Sequence, residues 1–292
     1  MVEIRPSRVE ELEEQKSLWK AAFGDDEAYI DLFYRTCVNP EDIIILAEGG
    51  TLRSMLALLP LEVELPGGER LSSSYVYALT TDPNARKQGY GRALLQYADA
   101  CLRERKVDCI TVVPAEAGLF KFFETVGFGD CFSNRKLELL ESMIPPAPPH
   151  STLTPVDASA YGELRERLLS GTFHARYGGK LLEFQAGASR LSGAGLYRLV
   201  IDGKEGCAAA EYTNGSSLAI KELLLPPSLM TGGVSLIKEA LQADRYFVRT
   251  PTLWDGLPGS YIQPFAMVKW LREDLRQVWG EERSGYFGLG FD

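Results

Sequence analysis

Paired cysteines, clustered histidines, an excess of positive charge and long apolar runs are all missing from this 292-residue sequence. The five cysteines (Cys37, Cys101, Cys109, Cys131 and Cys207) are an odd number without paired spacing, which excludes a disulfide scaffold and favours reduced thiols. The two histidines, His150 and His174, are far apart and stand at no metal-binding spacing with any cysteine pair, so no metal site is expected. Lys and Arg number 31 against 40 Asp and Glu, and the formal net charge of -9 argues against nucleic acid or an anionic membrane as partner. No apolar run reaches spanning length, and neither a signal-peptide pattern nor a lipidation motif occurs, so a cytoplasmic protein is expected.

What is present is enough for two ordinary cores. Hydrophobic residues make up 45% and charged residues 24%, and the length suits two domains of roughly 130–150 residues. Residues 3–6 read as a short strand, and Ser7 to Glu10 has capping-box spacing ahead of a helix whose Val9, Leu12, Trp19, Ala22 and Phe23 share one face. A second helix is expected over 28–36. The β-branched run 42–47 reads as a strand, 54–65 as a strand pair broken near Pro60, and 73–80 as a further strand. After it come a helix over 93–106, a buried strand over 109–113, a short helix over 118–124 capped by Gly127, and a strand over 136–140.

Four prolines between Pro145 and Pro149 remove backbone donors and fix φ, which marks a stiff spacer. The boundaries expected from it are a first domain at 1–143, a linker at 144–150 and a second domain at 151–292. The second half echoes the first: strand 153–155, helix 158–169, strands 196–201, 207–213 and 217–225, helix 232–241 and strand 246–249. This order predicts a tandem duplication.

The stretch with the clearest chemistry is Arg86-Lys87-Gln88-Gly89-Tyr90-Gly91-Arg92, between a strand and a helix. Glycines let backbone N–H groups crowd around an anion, and the helix start adds partial positive charge, so this turn suits phosphate. Dinucleotide and Walker readings fail, because no G-x-G-x-x-G follows a strand and no G-K-[ST] occurs. The spacing Arg86-x-x-Gly89-x-Gly91, followed by Phe122-Phe123-Glu124-x-x-Gly127-Phe128 with Gly127 36 residues after Gly91, resembles the GNAT superfamily of N-acetyltransferases. The resemblance covers residues 1 to about 142, and the tandem arrangement resembles the multi-domain acetyltransferases of bacteria.

That resemblance implies an α+β fold, with a mixed, splayed central sheet flanked by helices, here duplicated. It implies acetyl-CoA as cosubstrate. Leu79, Thr80 and Thr81 would pair with the pantetheine arm, and the N–H groups of Lys87, Gln88, Gly89, Tyr90, Gly91 and Arg92, beside Arg86, would cradle the pyrophosphate. The expected reaction is direct attack on the thioester by a primary amine of a small molecule or peptide. A lysine-like amine of pKa ~10.4 is neutral in about one molecule in 2,500 at pH 7, a cost of about 4.6 kcal/mol, so a base or a desolvating pocket helps.

The sequence departs from the family at two positions. Phe123 stands where many members carry a tyrosine that protonates the departing thiolate, and Glu116 where an asparagine is common. Three readings stay open: another donor serves (Tyr77 or Tyr75 on the cofactor strand, or water), the thiolate leaves unassisted, or the protein binds CoA as a sensor without transferring acetyl. The second half carries Met230-Thr231-Gly232-Gly233 in place of the basic turn, so it is expected to bind no CoA and to wall the acceptor pocket. The aromatic, glycine-rich tail 285–292 makes Asp292, with the terminal carboxylate, a candidate base beside Tyr77.

Overall fold

The computed structural model describes residues 1–213, 215–278 and 284–291. The first half runs β1 (Val2–Pro6), α1 (Leu12–Phe23), α2 (Glu27–Thr36), β2 (Ile43–Glu48), β3 (Thr51–Glu64), β4 (Arg70–Thr81), α3 (Tyr90–Glu104), β5 (Cys109–Val112), α4 (Ala117–Glu124) and β6 (Gly129–Leu140). The second runs β7 (Ser151–Pro155), α5 (Ala158–Leu169), β8 (His174–Arg176), α6 (Gly179–Leu191), β9 (Leu196–Ile201), β10 (Lys204–Tyr212), β11 (Ser217–Leu224), α7 (Met230–Ala240), β12 (Arg245–Pro251), β13 (Tyr261–Trp270) and α8 (Glu273–Val278). The repeat expected from the sequence is visible in this order. Each half has a strand, two helices, three antiparallel strands, a helix, and a strand that pairs in parallel with the third.

All strands join one mixed sheet in the order β1-β2-β3-β4-β5-β13-β6-β12-β11-β10-β9-β7, with β8 on the far end of β3. Its centre is an exchange. β13, from the second half, pairs with β5, while β6, from the first, pairs with β12. The sheet therefore continues across the proline spacer, which itself lies against α7: Ala147 N–H donates to Glu239 at 2.8 Å and Lys238 Nζ to the Ile144 carbonyl at 3.1 Å.

Alternation along the strands sets the layers. Ile43 and Ile45 of β2 enter a core under α1, α2, α5 and α6, whereas Ile44 and Leu46 enter a separate core under α3. Cys207 and Ala209 of β10 join the first core, and Ala208 and Ala210 a third one under α7. The helices α1, α2, α5 and α6 thus share one core that spans both halves, and α3 and α7 each cover a core of their own on the opposite face.

Two expectations need correction. Residues 51–64 form one strand through Pro60; its pairing with β2 ends at Ala57, so the proline lies where one edge is open until β8 joins at Glu62. The strand expected at 136–140 begins at Gly129, because β13 and β12 pair along its full length.

Candidate functional site

β4 and β5 part company halfway along. They pair in parallel from Ser73–Cys109 to Val76–Val112, after which β4 runs on to Thr81 without β5 beside it. On its other side β4 stays paired with β3, through a bulge where Ala78 takes φ 49. A positive φ at a residue other than glycine is costly and bends the strand, and here the bend falls at the divergence. Leu79, Thr80 and Thr81 lie on this segment, and the Thr80 carbonyl is held by Ser54 Oγ at 2.6 Å.

The turn that follows has the geometry of an anion nest. Lys87 (φ 66) and Gly89 (φ 82) are left-handed, and α3 begins at Tyr90. Ala93 N–H closes the first helical bond onto the Gly89 carbonyl, and among the described residues the N–H groups of Lys87 through Arg92 have no backbone acceptor. Arg86, Lys87, Gln88, Gly89 and Arg92 are exposed. Two side chains of the turn brace it: Tyr90 is buried and its hydroxyl donates to Gln88 Oε1 at 2.9 Å, while Arg92 donates to the Thr125 carbonyl at 3.1 Å and to its hydroxyl at 2.8 Å, past the end of α4. The unpaired strand edge and the acceptor-free amides fit a long ligand with an amide-bearing arm and a pyrophosphate.

The divergence opens into a cavity of about 390 Å³. One end is apolar, lined by Ala78, Leu79, Val113, Leu119 and Phe123. The other is formed by Trp19, Phe23, Asp25 and Tyr29 of the first half, Glu211 and Lys221 of the second, and Phe291 of the tail. Tyr77 also lines the cavity, with its ring 5.5 Å from that of Trp19 and 5.8 Å from that of Phe291. Its hydroxyl lies 2.9 Å from that of Tyr29, and burial raises both phenols well above the ordinary tyrosine range. Tyr75 and Tyr77 share a face, with ring centroids 5.7 Å apart, but Tyr75 is packed against Phe287 at 5.3 Å. Phe123 is buried against Phe122 and Phe128. Glu116 is exposed at the start of α4. Asp292 lies outside the described residues.

Sequence reasoning missed Trp19, Asp25, Tyr29, Glu211 and Lys221. They come from α1, α2 and the segment between them, and from β10 and β11, and no local spacing links them. For Phe291 there was a signal, the aromatic and glycine-rich tail. Tail residues 285–291 thread between the halves: Gly285 N–H donates to the Cys131 carbonyl at 2.8 Å, Tyr286 N–H to the Phe173 carbonyl at 2.9 Å, and the Tyr177 hydroxyl to the Phe287 carbonyl at 3.0 Å.

The second half repeats the divergence without the opening. β11 and β12 pair only as far as Ile220–Val248, yet Thr250 Oγ1 donates to the Leu223 carbonyl at 2.9 Å across the gap. Gly232 and Gly233 are inside α7, where a Cβ on Gly233 would meet Leu225 Cδ1 at 2.4 Å. These glycines serve close packing and make no turn. Elsewhere, Glu64, Glu166 and His174 bring potential ligand atoms within 4.8 Å of one another. Arg176 lies among them, donating to Glu64 at 2.8 Å and pairing with Glu166, while Arg165 pairs with Glu166 and Glu222, each at 2.9 Å. Guanidinium groups meet the negative charge, so the cluster is an ion-pair network joining β3, β8, α5 and β11. Among the described residues no helix is long and apolar enough to cross a membrane.

The comparisons with known proteins agree with this geometry. The family model for the acetyltransferase (GNAT) domain matches residues 3–130. No protein with a curated description matches the sequence. The structure is similar to a GCN5-related N-acetyltransferase from Anabaena variabilis (TM-score 0.73, 16% identity, covering 93% of this chain and 73% of that one). It is also similar to one from Kribbella flavida (TM-score 0.69, 9% identity, 93% and 72%). At these identities the likeness establishes the fold, a mixed sheet flanked by helices, and the family model establishes the domain. Residues 3–130 are therefore a GNAT acetyltransferase domain, and the protein that carries it is an acyltransferase.

Proposed function

We propose that this protein moves the acetyl group of acetyl-CoA to a primary amine of a small molecule or peptide by direct attack. The observation that carries the reading is the continuity between the unpaired β4 edge, the acceptor-free amides of the Arg86–Arg92 turn and the cavity at the divergence. In this reading Leu79, Thr80 and Thr81 hold the pantetheine arm. The amides of Lys87, Gln88, Gly89, Tyr90, Gly91 and Arg92, with the charge of Arg86, hold the pyrophosphate. The acetyl thioester then lies beside Tyr77, and the amine enters from the end lined by residues of both halves.

Transfer forms the N–C bond as the amine lone pair attacks the thioester carbonyl carbon. The C–S bond breaks, sulfur takes the electron pair, and the amine proton passes to a general base. An N–H of the unpaired β4 segment is available to the carbonyl oxygen as charge develops there. Tyr77, kept protonated by burial and hydrogen-bonded to Tyr29, is the donor we favour for the CoA sulfur; Asp292 is the candidate base. The second unit, 151–292 after the linker 144–150, walls the acceptor end for the acetyl-CoA-binding unit 1–143. Free cysteines, three of the five buried, and the acidic composition support a cytoplasmic setting.

Phe123 in the usual acid position favours a second reading, a CoA-binding sensor without transfer. Thiol release from acetyl-CoA across a panel of amines separates the two. Turnover with any amine supports the enzyme. A thermal shift by CoA with no release supports the sensor. Ligand at ~100 Kd stabilises by about 2.7 kcal/mol. Gly89→Glu removes that shift if the turn is the pyrophosphate site, and an unchanged shift in a folded variant overturns the assignment.

A further inference from the structure

The acceptor end of the cavity combines a small volume, aromatic walls and an unbalanced charge. Glu211 and Lys221 form an ion pair at 3.5 Å, and Glu211 Oε1 accepts from Gln185. Asp25 accepts from Trp19 Nε1 at 2.7 Å through one oxygen. Trp19 and Gln185 are neutral donors, so among the described lining residues two carboxylates face one ammonium, an excess of one negative charge in that set. Around it stand the rings of Trp19, Phe23, Tyr29 and Phe291. A cation entering here restores the charge balance and lies against aromatic faces, whose quadrupoles attract it. A neutral or anionic molecule gains neither.

Volume narrows the class further. About 390 Å³ is at the small end for ligand pockets, and part of it adjoins the thioester strand. The rest is filled by an ammonium on a short apolar body. Phe291 packs on Phe184 at 5.0 Å and on Tyr77 at 5.8 Å, which narrows this end. A long polycation would bring more positive charge than the one excess carboxylate among the described lining residues balances.

We propose that the acceptor is a compact monoamine with an apolar, aromatic-sized body, and that Glu211 of the second half and Asp25 of the first select it by its charge. This inference rests on the acyl-transfer reading. It also explains what the second half contributes, because β10 supplies the charge that decides which amines enter. Glu211 and Asp25 are specificity residues and take no part in bond making.

Thiol release from acetyl-CoA is measured with phenethylamine, spermidine and a lysine-containing peptide, for the full chain and for Glu211→Gln and Asp25→Asn. Both variants keep an oxygen acceptor for Gln185 or Trp19 and remove only the charge. Phenethylamine should have the highest kcat/KM. Each variant should raise its KM about tenfold, as expected for loss of one charge-assisted contact, with kcat and the KM for acetyl-CoA unchanged. A KM for phenethylamine unaltered in both variants, or a preference for spermidine or the peptide, overturns the inference and leaves acyl transfer standing. Absence of release with every amine, while acetyl-CoA still shifts the melting temperature, overturns the transfer reading and this inference together. If Glu211→Gln melts well below the parent protein, Asp25→Asn alone decides.

Discussion

Tyr77 lines the cavity and holds its hydroxyl 2.9 Å from that of Tyr29. Its position is set by the strand, and its ionisation by burial: desolvation holds the phenol well above the ordinary tyrosine range. A thiolate needs little help to leave; with a thiol pKa of ~8.5 the deficit at pH 7 is about 1.5 units, or about 2 kcal/mol. We therefore expect Tyr77→Phe to lower kcat for thiol release by about 10- to 30-fold, with acetyl-CoA binding by thermal shift unchanged. A loss under twofold assigns Tyr77 to packing. Glu166 allows a pH test at the same scale. Burial raises its pKa, but His174, Arg165 and Arg176 outweigh this and the net effect is to lower it. A carboxylate with a depressed folded pKa contributes stability above its unfolded value of 4.5, and that contribution is lost as pH falls through the folded pKa. In urea melts, Glu166→Gln should be less stable than the parent at neutral pH. The gap should close only below about pH 4.5.

Among elements, the tail and the parallel strand pairs decide what the cavity is. Gly288 takes φ 79, and a Cβ there would lie 2.3 Å from Glu222 Oε1 and 2.7 Å from Arg165 Nη2, two members of a buried ion pair. Gly288→Ala should thus cost about 2 kcal/mol or more in denaturant melts, from left-handed strain and a displaced charge pair. It should also raise the KM for the amine more than that for acetyl-CoA, because the tail carries Phe291. The glycine-rich character of this tail was legible in the sequence as unlike a frayed end, but its path was not. The partners, Cys131, Phe173 and Tyr177, sit more than a hundred residues upstream. The contrast between α3 and α7 was more accessible. One begins at a turn with cations and left-handed residues, and the other holds Gly232 and Gly233 inside its own first turns. That difference is written in adjacent residues.

At the scale of the whole molecule, the exchange of β6 and β13 ties the two halves into one sheet, and one core under α1, α2, α5 and α6 spans both. A chain ending at residue 143 would leave β5 without β13 and β6 without either neighbour, exposing strand edges and the apolar face that α6 covers. We expect such a fragment to show no cooperative melt by circular dichroism, and the full chain to unfold in a single transition. The order of elements, the basic glycine turn, the proline spacer and the echo between halves were all set by local patterning, since helix and strand periodicity, caps and turn glycines act within a few residues. Those same residues carry the acyl-CoA reading. Tertiary structure alone decided the exchange of last strands and the closure of the second divergence by Thr250. It also decided the charged lining of the cavity, which brings together Asp25, Glu211 and Phe291. These depend on contacts between residues far apart in the chain, where only packing and charge balance in three dimensions select the partner.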